Sequence, residues 1–248
     1  MKPENLQYEV CVDSASGARV AQEGGAHRVE LCGALSVGGI TPSAGAIRAT
    51  RELVEIDVHV LIRPRAGDFH FDAAEIDTMR RDIEMAGEWG AKGVVIGALT
   101  NDGRVAVETC RQLIEAAASM SVTFHRAFDV TEDAASALGA LIALGCDRVL
   151  SSGQAASAWA GRELLAELVR ESAGRITILP GAGIDETNAG DLVRETGVRE
   201  LHFSATSDVA IASIGGRGVA MGSDTSADRV RGVTDVERVR RIISASVR

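Results

Sequence analysis

A single (β/α)8 TIM barrel with an extra C-terminal helix is the fold this sequence predicts, and three observations predict it. Strand-like runs rich in Val, Ile and Leu alternate with helix-like stretches eight times, with short connections between them. Hydrophobic residues make up 46% of the chain and aromatics only 3%, so the core must be built from branched aliphatics and alanine. That mix suits parallel strands covered by helices on both faces. The length, 248 residues, is typical of one such barrel and ample for a core without disulfide staples.

The elements follow in order. Tyr8–Val12 is the first strand, and Ser14 can cap a helix that Gly24 and Gly25 stop. Arg28–Cys32 is the second strand; after the glycine-rich loop 33–39, Thr41 and Pro42 open a helix that runs to about Glu52. Asp57–Arg63 is the third strand, ended by Pro64, and Asp72 caps a long helix that closes at Gly90. Gly93–Leu99 is the fourth strand, followed by the Asn101-Asp102-Gly103 turn and the helix Val107–Ala118. The fifth strand begins at Val122, and Asp133–Leu144 is its helix. Arg148–Ser152 and Arg162–Ala173 form the sixth unit, Thr177–Leu179 and Glu186–Thr196 the seventh, and Glu200–Ser204 is the eighth strand. Residues 206–233, rich in Ser, Gly and Asp, predict an irregular or mobile loop, and Thr234 is placed to cap a final amphipathic helix ending at Val247. No domain boundary interrupts residues 1–248.

Composition narrows the function. Twenty-six basic residues against 35 acidic ones give a net charge of −9, which argues against nucleic acid and against an anionic membrane surface as partners. No apolar run has the length of a signal peptide or of a membrane span. Four cysteines, at positions 11, 32, 110 and 146, then read as reduced thiols, and the expected location is the cytoplasm. Barrels of this size often pair, so a homodimer or higher homo-oligomer is expected.

Strand side chains alternate faces with a period of two, and the polar residues here fall on one parity. Glu9 and Cys11, Glu30 and Cys32, His59 and Arg63, Thr123 and His125, and His202 and Ser204 share it, while Val10, Val12, Val29, Leu31, Val58, Val60 and Ile62 hold the other. A polar barrel mouth follows, with Glu9, Glu30, Arg63, His125 and His202 converging on the axis. Buried charges must be paired, so two acids facing an arginine and two imidazoles form either a site or an ion-paired plug.

Three local signals give that mouth candidate chemistry. The stretch Val122-Thr123-Phe124-His125-Arg126-Ala127-Phe128-Asp129 releases an imidazole, a guanidinium and a carboxylate at the end of a strand, where α/β barrels keep their sites. Pro180-Gly181-Ala182-Gly183, with Ser152 and Gly153 after strand six and Ser204 after strand eight, offers backbone N–H groups to an anion. Cys11 and Cys32 stand at equivalent points of neighbouring strands, and two thiolates suit Cu(I) better than a hard cation. Each also has a structural reading: glycines make any tight turn, and an unpaired cysteine often packs as a small hydrophobe. No Cys or His pair has the spacing of a zinc finger.

These motifs resemble the CutC family, named for copper homeostasis. The resemblance runs through Glu9-Val10-Cys11-Val12-Asp13-Ser14, Val29-Glu30-Leu31-Cys32, Gly38-Gly39-Ile40-Thr41-Pro42-Ser43, Val60-Leu61-Ile62-Arg63-Pro64-Arg65, the Thr123–Asp129 stretch, Ser152-Gly153-Gln154, and His202 with Ser204 and Ala205. It covers nearly the whole chain apart from 206–233, with mild departures at His27, Ala66, Ser151 and Ala182. Membership implies the barrel, a cytoplasmic location and a role with copper, and it matches Cys11 and Cys32 to the cysteine pair proposed as a Cu(I) site in the family. The residues by themselves also fit a lyase or isomerase acting on a small phosphorylated or carboxylated carbonyl or sugar-like metabolite. Arg63 would clamp a carboxylate, Glu9 or Glu30 would be the base, and His125 or His202 the acid, with Asp129 orienting Arg126 or an imidazole. Neither reading needs an organic cofactor, and the absence of a lysine at the mouth argues against a Schiff base.

Overall fold

The computed structural model describes residues 6–210 and 230–247. Eight parallel strands lie in the order β7-β6-β5-β4-β3-β2-β1-β8: β1 Gln7–Val12, β2 Arg28–Leu31, β3 Asp57–Leu61, β4 Gly93–Ile96, β5 Ser121–Phe124, β6 Arg148–Ser151, β7 Thr177–Pro180 and β8 Glu200–Phe203. Each neighbouring pair in that order is hydrogen-bonded in parallel register, for example Val10 beside Val29 and Glu9 beside His202. β7 and β8 meet at the seam, where a Cβ on Gly181 would stand 3.2 Å from the His202 ring, so the barrel is nearly closed.

Helices α1 Ala15–Gly24, α2 Ala44–Leu53, α3 Ala73–Glu88, α4 Val107–Ala117, α5 Ala134–Leu144, α6 Arg162–Ser172 and α7 Ala189–Thr196 follow successive strands, and α8 Val236–Ser246 closes the chain. Their starts are set by local polar chemistry. Ser14, Ser43 and Asp133 each accept an N–H of the first turn, and Asp72 with Glu75 forms a reciprocal capping box. The seventh helix begins later than the expected Glu186, because Asp185 folds back to take the N–H and hydroxyl of Thr187. The last helix is capped by Asp235, which accepts from Glu237 and Arg238, and Thr234 belongs to a strand instead.

That strand corrects the expectation of an irregular loop. Thr206–Ala210 (β9) and Val230–Thr234 (β10) pair as an antiparallel ribbon, and residues 211–229 of the expected loop lie outside the described residues. Thr and Val in both arms supply β-branched residues, while the intervening Ser, Gly and Asp dominate the composition and hid them.

Two apolar layers separate cleanly. Val10, Val29, Val60, Val94, Phe124 and Val149 join the helices in the main core, whereas Cys11, Cys32, Leu61 and Val95 form a small cluster of their own inside the barrel. The period-two reading therefore holds: the apolar parity faces the helices and the other parity fills the interior. Among the described residues no helix is long and apolar enough to cross a membrane.

Candidate functional site

The barrel interior begins, at the N-terminal ends of the strands, with a network of paired charges. Arg28 opens β2 and donates to Glu9 in β1 and, at 2.6 Å, to Glu200 at the start of β8. Arg148 of β6 reaches the same Glu200 oxygen at 2.9 Å and the Ser121 hydroxyl at 2.6 Å. Two carboxylates thus meet two guanidiniums, and the pairing is what makes their burial tolerable.

Glu9 carries the network upward. Its second oxygen lies 2.7 Å from Nδ1 of His202, whose Nε2 is 3.7 Å from Glu30. Burial alone would raise the Glu9 carboxyl, but Arg28 and His202 outweigh it and hold the group well below the usual carboxylate range. Glu30 goes the other way: burial, together with the Cys11 sulfur beside it, pushes its carboxyl well above the ordinary value. Burial opposes the charged form of His202, yet hydrogen bonds to Cys11 and Glu9 and the nearby acids raise the imidazole well above its ordinary value. The result is an imidazolium flanked by one ionised and one protonated acid.

Above it sit the two thiols. Cys11 ends near the top of β1 and Cys32 follows β2, with the sulfurs 3.7 Å apart. The Cys32 hydrogen bond, and the His202 contact beside it, lower the Cys11 thiol to about 5, while the same bond and burial push Cys32 well above the ordinary value. Cys11 is therefore a thiolate accepting the Cys32 S–H. Ligand atoms of Cys11, Cys32 and Glu30 all lie within 4.8 Å of one another, and all three residues are buried. The loop 33–39 lies over them, with Leu35 packed on the cluster and no room for a side chain on Gly39, whose Cβ would stand 2.7 Å from Leu61. Cys110 and Cys146 are separate, packing among the helices.

Arg63 and His125 are brought together elsewhere, at the C-terminal mouth. The Arg63 guanidinium carbon lies 5.2 Å from the centre of the Phe69 ring, and the centre of the His125 ring lies 5.0 Å from the same ring. Burial, with Arg63 nearby, lowers His125 to about 3, so the imidazole is neutral. Its ring sweeps across Gly97, where a Cβ would approach it to 2.3 Å. The expected convergence of five polar groups is thus two clusters, Glu9, Glu30 and His202 with the thiols, and Arg63 with His125.

The expected anion cradle is largely committed to other partners. Asp129 accepts the Ser152 N–H, the Ser152 and Ser151 hydroxyls and the Arg126 guanidinium. Gly153 donates its N–H to Ser151, and Gly181 donates to the Ser151 carbonyl. Gly183 takes a left-handed turn at φ 67°, and Ser204 is exposed at the end of β8. Of the two partners expected for Asp129, it holds Arg126, at 2.7 Å, and not an imidazole, and it locks the loop after β6 to the loop after β5. Phosphate would have to displace Asp129 from Ser152 and the Ser151 oxygens from Gly153 and Gly181, whereas Gly183 and Ser204 are not among these committed groups.

Sequence reasoning missed Arg28, Arg148, Glu200 and Phe69. The first three stand at strand starts, and Arg28 and Glu200 share parity with Glu30 and His202, so the period-two rule applied to the whole strand finds them. Phe69 lies on a loop, where periodicity carries no signal.

Comparison with known proteins agrees with the architecture. The CutC family profile matches residues 6–207. A CutC family protein of Bacteroides fragilis is 47% identical over 98% of both chains, and one of Xanthomonas campestris pv. campestris strain B100 is 51% identical over 96% of this chain and 98% of its own. The solved structure of a Streptococcus agalactiae protein, named CutC for copper homeostasis, superposes with a TM-score of 0.77 at 32% identity, covering 80% of this chain and 98% of that one. The N-(5'-phosphoribosyl)anthranilate isomerase of Pyrococcus furiosus, at 14% identity and a TM-score of 0.61 over 97% and 98% of the two chains, shares the barrel fold alone.

Proposed function

The chain belongs to the CutC family, and from that premise we propose that it takes Cu(I) as cargo between Cys11 and Cys32 in copper homeostasis. The observation that carries this reading is the pair of buried sulfurs 3.7 Å apart with the Glu30 carboxyl alongside. Thiolates are soft ligands and select Cu(I) over hard divalent cations. The charge also fits a monovalent ion, since Cys11 is ionised while Glu30 and Cys32 hold their protons. A closed zinc site would need four N or S ligands, and two sulfurs with one carboxyl do not supply them. On binding, Cys32 loses its proton, and the His202 imidazolium remains to balance the second thiolate.

An anaerobic competition titration against a colorimetric Cu(I) chelator tests this. Wild type should bind one Cu(I) per chain, Cys32→Ser should lose affinity by about 100-fold or more, and Cys146→Ser should match wild type. Losing a ligand must cost at least as much as losing an outer-shell partner. Equal affinity in the Cys32→Ser and Cys146→Ser variants would remove the site.

The lyase or isomerase alternative keeps one observation in its favour, the donors without partners at Arg63 and His125. In that reading Glu30 is the better proton carrier, because Glu9 is held ionised by Arg28 and His202 and is a weak base at neutral pH.

A further inference from the structure

We propose that the barrel mouth holds a small carboxylate between Arg63 and His125, beneath the Phe69 ring. This site is distinct from the thiols and does not depend on copper.

The argument starts with Arg63. A guanidinium has five N–H donors, and Arg63 spends three: Nη1 on the Val37 and Gly39 carbonyls, at 3.1 and 2.9 Å, and Nη2 on the Gly67 carbonyl at 2.8 Å. Its Nε–H finds no acceptor. Nε and Nη2 form the side-on edge of the guanidinium, the edge that meets the two oxygens of a carboxylate. All three of its acceptors are neutral carbonyls, and among the described residues no acid pairs with it, although the residue is only 7% exposed. The other buried arginine among the described residues, Arg28, faces two carboxylates. A buried cation without a counter-ion is costly, and a bound anion removes that cost.

His125 points to the same ligand. Its Nδ1 accepts the Ala127 N–H at 3.1 Å, so that nitrogen carries no proton and the proton sits on Nε2. The Nε2–H is buried and has no acceptor, and the residue is 6% exposed. Two residues before it, on the same strand face, the Thr123 hydroxyl is also buried without a partner. Two unpartnered N–H donors, one charged and one neutral, thus belong to side chains that both pack on Phe69. What completes such a set is an oxyanion.

Three features choose carboxylate over phosphate. A single free guanidinium edge matches two coplanar oxygens. Of the N–H groups expected to cradle a phosphate, those of Ser152, Gly153 and Gly181 are already given to Asp129 and Ser151, which leaves only those of Gly183 and Ser204. The wall is apolar, because the half-buried Phe69 lies against both groups, which suits a small organic acid with a carbon skeleton.

The test is a titration of full-length, isotope-labelled protein with acetate, oxalate and inorganic phosphate at matched ionic strength, read by NMR at the Arg63 Nε–H and His125 Nε2–H signals. Acetate or oxalate should move both signals saturably, and phosphate should not. His125→Asn should weaken oxalate binding by about 10-fold, the loss of one hydrogen bond at about 1.4 kcal/mol, and Cys32→Ser should leave it unchanged. Arg63→Lys should abolish it, and because Arg63 also ties down two loops, the wild-type signals carry the result if that variant does not fold. No saturable shift with either carboxylate, equal binding by His125→Asn, or tighter binding of phosphate would overturn the assignment.

Discussion

Glu9 shows what a single buried carboxylate can be asked to hold. It accepts from Arg28 with one oxygen and from His202 with the other, and His59 stands 3.9 Å away. The residue is 1% exposed, so none of these charges is screened by water. Glu9→Gln keeps the shape and removes the charge. Arg28 then has only Glu200, and the His202 imidazolium loses its nearest anion. Breaking a buried pair from one side costs about 3 kcal/mol, and urea unfolding of metal-free protein should show a loss of that order. A change below about 0.5 kcal/mol, the usual range for unconstrained positions, would mean that the network contributes little to stability. The same residue explains a limit of sequence reading. Parity places Glu9 inside the barrel, but its role depends on Arg28 and Glu200, which lie 19 and 191 positions along the chain. Charge alone would make it a base; its partners make it an anchor.

At the scale of elements, the loops after the strands are tied to one another by side chains. Asp129 is the clearest case. It lies in the short 3-10 turn Arg126–Val130 after β5 and gathers five donors, four of them from Ser151 at the end of β6 and the loop after it. Asp129→Ala leaves the Ser152 N–H and the Ser151 hydroxyl without their acceptor, while the Ser152 hydroxyl keeps the Ala155 carbonyl at 2.6 Å. Each orphaned buried donor costs about 1–3 kcal/mol, so a loss of about 3 kcal/mol in urea unfolding is expected, with Cu(I) stoichiometry unchanged because the thiols lie on β1 and β2. Loss of copper binding with intact stability would contradict this assignment. The Thr123–Asp129 stretch was legible as a cluster of functional groups, yet only part of it faces the mouth. His125 turns inward and Asp129 turns sideways to the neighbouring loop. Strand parity stops at the last strand residue, and beyond Phe124 the backbone enters a 3-10 turn with another period. The ribbon β9–β10 was hidden for a related reason: its arms are five residues each, and their pairing is a contact over about 20 residues that no local pattern encodes.

For the whole molecule, the barrel was legible because its signal repeats: eight strands, each with one apolar parity, sum to a pattern that a few irregular starts and stops cannot blur. The interior was only half legible, since parity says which residues point inward and not which of them ionise. That second question has a measurable consequence in the dependence of stability on pH. Burial holds His59 neutral down to about 4 and His125 down to about 3, whereas in the unfolded chain both take a proton near the ordinary 6.5. Between about pH 4 and 6.5 the unfolded state therefore binds more protons at these two sites, and stability falls as pH falls through that window. Cys11, a thiolate down to about pH 5 when folded, acts in the same direction. Glu30 opposes them, because its folded carboxyl keeps a proton that the unfolded chain has released above the ordinary 4.5. His202, raised well above its ordinary value, opposes them only at the top of the window, where the unfolded imidazole begins to lose its proton. The three groups that favour loss outnumber the two that oppose it, so the sign stands. Each proton of difference is worth about 1.4 kcal/mol per pH unit. His59→Gln removes one, and its stability between pH 6.5 and 4.5 should fall less steeply than wild type by about that amount in urea unfolding. Parallel slopes for the two proteins would show that His59 titrates in the folded barrel as it does in the open chain.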